Sequence, residues 1–162
     1  MNQEDKLAML VLSCDKYSDL WDDFFNLKER FWSDCPYKWY IVTESKDYNR
    51  EGVSVIKCGN TLNWAGRFRY AVNTINAQYY GIYLEDYFIT EKVENAIITD
   101  LLDIMERHNV TFLNTADVFG NCIRMRNKNY FKEHLIVIPN DKRYGISTES
   151  AIWEKNYLLK KL

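Results

Sequence analysis

The sequence has little glycine and proline, with 6 Gly and 2 Pro in 162 residues. This scarcity excludes collagen-like, low-complexity and linker-rich architectures, which depend on those two residues. The apolar runs are short, because stretches such as residues 9–12 and 135–138 fall far below the roughly 20 residues that span a bilayer. The first five residues lack the basic-then-apolar pattern of a signal peptide, so we expect a cytoplasmic protein.

A surplus of basic charge is also missing. The chain has 21 basic and 23 acidic side chains, which gives a formal net charge of -2. General nucleic-acid binders usually carry a basic surplus, so we expect no nucleic-acid partner. One basic stretch stands out. Such a stretch is usually a solvated surface, and the alternative is contact with an anionic acceptor or with the inner face of a membrane. It contains Arg124, Arg126, Lys128 and Lys132.

Metal-binding patterns of cysteine and histidine are absent. The four cysteines stand at positions 14, 35, 58 and 122 without a C-x-x-C pair, and the only histidines are His108 and His134. This spacing argues against a zinc site and favours four reduced, mostly buried thiols. A nucleophilic Cys14 is disfavoured, because neither a histidine nor a glycine-rich loop lies close to it in the sequence.

Strand-like and helix-like segments alternate along the chain. The predicted strands are residues 6–13, 39–43, 53–57, 79–84, 110–113 and 135–138. Helical spacing of apolar residues begins near Ser18, Asn63 and Val93, and again after Ser147 and Thr148. The last helix is expected to carry Ile152, Trp153, Leu158 and Leu159. This alternation predicts one α/β domain over residues 1–162, a sandwich with a mainly parallel central sheet.

Carboxylates follow three of the predicted strands. Asp15 follows the first strand, Glu44 the second, and Glu85 with Asp86 the strand at residues 79–84. Ligands of open α/β sheets bind beyond the carboxyl ends of the strands, at the point where the strand order reverses. Carboxylates brought together there repel one another, so they require a metal ion or a cationic partner.

Glycine-rich phosphate loops are missing, since the chain has neither G-x-G-x-x-G nor G-x-x-x-x-G-K-[ST]. A bound phosphate would therefore be neutralised by a divalent cation or by arginine. Arg67 and Arg69 stand near a predicted helix N-terminus, which adds its own positive dipole. Glu85 and Asp86 offer the hard oxygen ligands that Mg²⁺ or Mn²⁺ prefers. These residues together predict a site for a metal ion and a diphosphate.

Four parts of the sequence carry a family resemblance. They are V-L-S-C-D-K-Y-S-D-L-W at 11–21 with F-W-S-D-C-P-Y-K at 31–38, N-W-A-G-R-F at 63–68, Y-G-I-Y-L-E-D-Y-F-I at 80–89 and Y-G-I-S-T-E-S-A-I-W-E-K-N-Y-L at 144–158. In this order the chain resembles a bacterial family of GT-A-type glycosyltransferases of capsule and lipopolysaccharide synthesis. The resemblance covers nearly the whole chain.

The resemblance implies a Rossmann-like, GT-A-type three-layer fold. It also implies a metal-dependent transferase that moves a sugar from a nucleotide-sugar donor to a saccharide acceptor. Glu85 and Asp86 match the acidic motif that holds the metal ion, although the family's D-x-D spacing differs. Asp86 would be the metal ligand, and Glu85 a second ligand or a water-mediated contact. Asp15 and Glu44 would contact the nucleotide, and Arg67 the diphosphate.

The catalytic base is not identified. Glu149 is the one candidate in the matched segments, but a glutamate in the first turn of a helix is more often a capping partner. GT-A domains are commonly longer, and the resemblance implies that a C-terminal part is lacking here. A non-catalytic nucleotide-sugar-binding module therefore remains the alternative. A receiver-like phosphoacceptor domain is disfavoured, because Asp15 stands alone after the first strand.

Two tryptophans have open interpretations. Trp64 shares an apolar face with Phe68, which makes core packing at least as good an explanation as stacking on a base. Trp153 could stack on an acceptor sugar or pack in the core.

Overall fold

The computed structural model describes residues 6–115, 135, 138, 141, 143, 146, 148 and 150–162. Six strands form one sheet: β1 Leu7–Leu12, β2 Lys38–Thr43, β3 Val53–Lys57, β4 Tyr79–Leu84, β5 Phe112–Asn114 and β6 Ala151–Glu154. The helices are α1 Trp21–Trp32, α2 Trp64–Thr74, α3 Asn95–Arg107 and α4 Lys155–Lys161. A 3₁₀ segment, Asp15–Leu20, connects β1 to α1. Within these described ranges, no helix is both long and apolar enough to cross a bilayer.

The strand order in the sheet is β3-β2-β1-β4-β6-β5. β1 pairs in parallel with β2 on one side and with β4 on the other, and β2 pairs in parallel with β3. β6 is antiparallel to both β4 and β5. The chain thus runs outward from β1 through β2 to β3 and then returns to the far side of β1. The reversal of strand order lies between the carboxyl ends of β1 and β4.

β1 is a strand because its six residues, all buried, supply apolar side chains to both faces of the sheet. Leu7 and Met9 belong to the core that α1 and α3 cover, whereas Ala8 and Leu10 belong to the core that α2 and α4 cover. The fold is therefore a three-layer α/β sandwich with a mainly parallel central sheet, which confirms the predicted Rossmann-like class.

The predicted final helix is wrong in its first part. Ile152 and Trp153 lie in β6, where they pair with Gly81 and Tyr80 of β4, and the helix begins only at Lys155. Burial between two neighbouring strands outweighs the helical spacing seen in the sequence. Of the two interpretations left open for Trp153, core packing is confirmed, because its side chain is buried, with a relative exposure of 3%.

Further parts of the structure differ from the sequence prediction. The strand expected at 110–113 is Phe112–Asn114, and the first helix begins at Trp21 after the 3₁₀ segment. Leu135 and Ile138 are the described residues of the strand expected at 135–138, and both lie outside any strand. Ser147 lies outside the described residues. Thr148 is a bend residue rather than a helix cap.

The Glu154 carboxylate caps α4 by accepting hydrogen bonds from the backbone N–H groups of Asn156 at 3.0 Å and Tyr157 at 2.8 Å. Replacement by alanine leaves two N–H groups of the first turn without this acceptor. We expect Glu154→Ala to lower the free energy of unfolding by about 1 kcal/mol in urea denaturation. Glu154→Asp retains an acceptor at the cap position and serves as the control. Equal stability of the alanine variant and the original chain would contradict this role.

Candidate active site

A cavity of about 340 Å³ opens at the reversal of strand order. Three parts of the fold form its walls: the end of β1 with the 3₁₀ segment after it, the end of β4, and the first turn of α2. Its lining residues are Leu12, Ser13, Cys14, Tyr17, Leu20, Trp64, Arg67, Leu84, Glu85 and Asp86. Open α/β sheets bind ligands at this position, because the strand ends there have no covering connection between them.

Asp15 joins the end of β1 to the loop after β2. Its carboxylate accepts hydrogen bonds from the Ser45 hydroxyl at 2.6 Å and from the backbone N–H groups of Glu44, Ser45 and Lys46. Desolvation raises the pKa of the Asp15 carboxyl, but these hydrogen bonds outweigh it, so the pKa lies below its usual value. The carboxylate that the sequence assigned to the nucleotide is thus engaged by the protein itself.

Glu44 links Asp15 to Arg67. One carboxylate oxygen accepts from the Arg67 Nη1 atom at 3.1 Å, and the other accepts from the backbone N–H of Asp15 at 2.9 Å. The same Nη1 atom lies 3.5 Å from the carbonyl oxygen of Ser13. The structure therefore brings Asp15, Glu44 and Arg67 together beside the cavity, although Arg67 alone of the three lines it. Arg69 is exposed and does not line the cavity.

Glu85 and Asp86 line the cavity at the end of β4. β4 ends at Leu84 and the next two residues form a turn, closed by a hydrogen bond from the Tyr87 N–H to the Leu84 carbonyl oxygen. This turn allows two consecutive residues to line one cavity. Glu85 is buried and Asp86 is exposed. Burial is the main cause that raises the pKa of Glu85, and the Asp86 charge acts in the same direction.

These two carboxylates do not make a complete metal site. Among the described residues, no group of three or more His, Cys, Asp or Glu side chains is arranged to hold a metal ion. The protein therefore offers two carboxylates at this wall, which suits an ion that takes its remaining ligands from a substrate and water. Mg²⁺ commonly binds in this way, through one or two carboxylates and substrate phosphates.

Two aromatic rings with exposed faces line the cavity. The sequence did not single out Tyr17, and it left the role of Trp64 open. Tyr17 is 44% exposed and Trp64 is 42% exposed, in a chain whose other tryptophans among the described residues are buried. Trp64 does contact Phe68 edge to face, with ring centroids 5.5 Å apart. The helical spacing of these two residues indicated that contact. Spacing alone could not indicate that the rest of the Trp64 ring faces solvent.

Ser13 is a further residue that sequence reasoning missed. Its hydroxyl oxygen accepts a hydrogen bond from the Trp21 indole N–H at 2.8 Å, which fixes it beneath the cavity. The Ser13 hydroxyl donates to the Cys14 carbonyl oxygen at 3.4 Å, and its side chain opposes the rise in the pKa of the Glu85 carboxyl. The sequence does place Ser13 directly after a buried strand, and that position could have identified it as a site residue.

In the described part of the chain, Cys14, Cys35 and Cys58 are free thiols that are half-buried, whereas the sequence predicted mostly buried thiols. Cys14 lines the cavity, and no histidine stands among the described lining residues. Burial is the main cause that raises the pKa of the Cys58 thiol. Cys122, the candidate base Glu149 and the basic residues at 124–132 lie outside the described residues.

No protein-family model and no curated protein matches the chain. Among solved structures, the fold is similar to that of S. aureus TarS, a glycosyltransferase, with a TM-score of 0.53 and 11% sequence identity. The alignment covers 96% of this chain and 29% of the TarS chain. At this identity the similarity concerns the fold alone, and the chain spans less than a third of that neighbour.

We expect Asp15→Asn to lower the free energy of unfolding by about 1 kcal/mol at pH 7, because the amide makes weaker hydrogen bonds to the 44–46 loop. A carboxyl with a lowered pKa stabilises the fold above its unfolded pKa and loses that contribution as the pH falls through the folded pKa. The difference in free energy of unfolding between the variant and the original chain should therefore disappear below about pH 4 in urea denaturation. Asp23→Asn removes an exposed carboxylate from α1 as the control, and a difference independent of pH would refute the assignment.

Glu85→Gln should have the opposite effect on stability. A carboxyl whose folded pKa is raised destabilises the fold when it is ionised, and this cost disappears as the pH falls toward its unfolded pKa. We therefore expect the substitution to raise the melting temperature at pH 7 and to change it little near pH 4, about its unfolded pKa. Glu91→Gln, which changes an exposed glutamate, is the matched control. A lower melting temperature at pH 7 would show that Glu85 stabilises the fold.

Proposed function

We propose that this chain is a glycosyltransferase domain that binds a nucleotide-sugar donor in the cavity at the ends of β1 and β4. The acceptor would be a saccharide of a surface polysaccharide or lipopolysaccharide. One observation carries the proposal: Glu85 and Asp86 line the same cavity as Arg67. The similarity of the fold to a glycosyltransferase supports it.

In this proposal the first turn of α2 binds the diphosphate. Arg67 provides a planar cation suited to phosphate oxygens. Asn63 caps the helix by accepting from the Gly66 N–H, and the N-terminus of α2 contributes a partial positive charge. This arrangement replaces a glycine-rich loop, in keeping with the low glycine content of the chain.

A divalent metal ion, Mn²⁺ or Mg²⁺, completes the proposed site on electrostatic grounds. The charged residues that line the cavity are Arg67, Glu85 and Asp86, so two carboxylates stand against one guanidinium. A diphosphate would add further negative charge, which a divalent cation offsets. Asp86 would hold the ion from the solvent side, and the buried Glu85 would hold it directly or through water. The bound ion would stabilise the charge that develops on the leaving diphosphate.

The exposed rings of Tyr17 and Trp64 would contact the uncharged parts of the donor. Flat aromatic faces suit both a nucleobase and the C–H surface of a sugar. Tyr17 lies in the 3₁₀ segment, and Trp64 lies in the first turn of α2, the turn that also carries Arg67. A donor whose diphosphate lies on Arg67 would therefore have aromatic side chains within reach of its nucleoside.

Thermal shift with a panel of nucleotide sugars, with and without Mn²⁺, tests this proposal. We expect at least one nucleotide sugar to raise the melting temperature, more strongly with Mn²⁺, because the donor stabilises the folded state by mass action. Asp86→Ala should remove the Mn²⁺-dependent part of the shift, whereas Asp23→Ala should retain it. The absence of a shift with every nucleotide sugar would count against donor binding.

A non-catalytic donor-binding module is the second candidate. Among the described residues, the carboxylates that line the cavity are those of Glu85 and Asp86, and both are assigned to the metal ion. The described part of the cavity then offers no further carboxylate to deprotonate an acceptor hydroxyl. Nucleotide-sugar binding without sugar transfer or donor hydrolysis would favour this candidate over the enzyme.

A further inference from the structure

We propose that Glu44 is a positioning residue that holds the Arg67 guanidinium in place for an anionic ligand and does not itself contact that ligand. This inference rests on the proposed function, because it concerns the diphosphate site of the same cavity. It differs from the sequence interpretation, which placed Glu44 in contact with the nucleotide.

The Glu44 carboxylate is fixed from two sides. Its oxygens accept from two donors on different elements, Arg67 Nη1 at 3.1 Å and the Asp15 backbone N–H at 2.9 Å. In return, the Glu44 N–H donates to the Asp15 carboxylate at 3.0 Å. The backbone and the side chain of Glu44 are thus both bonded to the segment after β1. Such a carboxylate has little freedom to turn toward a ligand.

The Arg67 guanidinium has donors left over. Its side chain is 16% exposed, and only Nη1 has partners among the described residues, namely Glu44 and the Ser13 carbonyl oxygen. A guanidinium has five N–H donors in a fixed planar fork. The Nε and Nη2 groups therefore remain for an anion. Glu44 does not line the cavity, whereas Arg67 does.

Loss of the Glu44 carboxylate could change the affinity for an anion in either direction, depending on what Glu44 does. If Glu44 acts only as a nearby negative charge, its removal should strengthen the binding of an anion. If Glu44 orders Arg67, its removal should weaken binding, because a long flexible side chain must then be immobilised by the ligand itself. Immobilising one such side chain corresponds to about a three- to tenfold change in affinity.

The binding test uses inorganic pyrophosphate with Mn²⁺ in isothermal titration calorimetry. We expect Glu44→Gln to weaken binding about three- to tenfold. Glu51→Gln, an exposed glutamate replaced in the same way, should leave the affinity unchanged. Unchanged or tighter binding by Glu44→Gln would overturn the proposal. Glu44→Asp retains the charge but is shorter by one methylene, so weaker binding by this variant supports positioning and unchanged binding contradicts it.

A double-mutant cycle separates an effect through Arg67 from direct contact. In an Arg67→Ala background, Glu44→Gln should cause no further weakening, because the side chain that it positions is gone. Additional weakening in that background would mean that Glu44 contacts the ligand, and would overturn the proposal. A merely structural role of Glu44 would also weaken binding in both backgrounds.

A second measurement needs no ligand. In ¹⁵N NMR of the full chain, the Arg67 guanidinium should show restricted rotation that is lost in Glu44→Gln and retained in Glu51→Gln. The exposed Arg69 provides the freely rotating comparison in the same spectrum. If Arg67 rotates as freely as Arg69 in the original chain, the proposal fails even when pyrophosphate binds. If Arg67 is restricted but neither pyrophosphate nor any nucleotide sugar binds, the proposed function fails while the Glu44–Arg67 coupling stands.

Discussion

The burial of β1 on both faces is the constraint on which the other features depend. A central strand between two layers of helices has no exposed face, so its side chains are apolar from Leu7 to Leu12. Polar chemistry can then begin only where the strand ends. Ser13 and Asp15 follow at that point, next to the turn after β4, because β1 and β4 are parallel neighbours with their ends in register at Leu12 and Leu84.

The acidic residues at this edge have four different environments. The Asp15 carboxylate is satisfied by the loop after β2, and that of Glu44 is shared between a backbone N–H and Arg67. Glu85 is buried with a raised pKa, and Asp86 is exposed. The carboxylates of Asp15 and Glu44 therefore stabilise the loops beside the cavity, and those of Glu85 and Asp86 line the cavity itself. The residue type alone, four acids after three strands, did not distinguish these environments.

Much of the fold could be predicted from the sequence because its strands and helices follow strong local patterns. The bounds of β3 and β4 agree with the prediction, and α2 begins next to Asn63, as expected. The prediction failed at β6, where apolar spacing resembled a helix. Pairing with β4 and β5, distant in sequence, determined the structure there.

The candidate site could be predicted in position more readily than in detail. Carboxylates after parallel strands indicated the correct edge of the sheet, since that rule depends only on strand direction. The hydrogen bonds of Asp15 to the 44–46 loop depend on side-chain geometry that no spacing encodes. The exposed rings of Tyr17 and Trp64 depend likewise on the path of the chain around the cavity.

The placement of β6 between β4 and β5 has a consequence for synthesis on the ribosome. β1 to β4 emerge first and can pair among themselves, but the outer edge of β4 stays open until residues 151–154 are made. An open apolar strand edge is a template for pairing with other chains. During that interval the nascent chain exposes the Tyr79–Leu84 edge, which makes this edge the point where a chaperone or another nascent chain would first compete with folding.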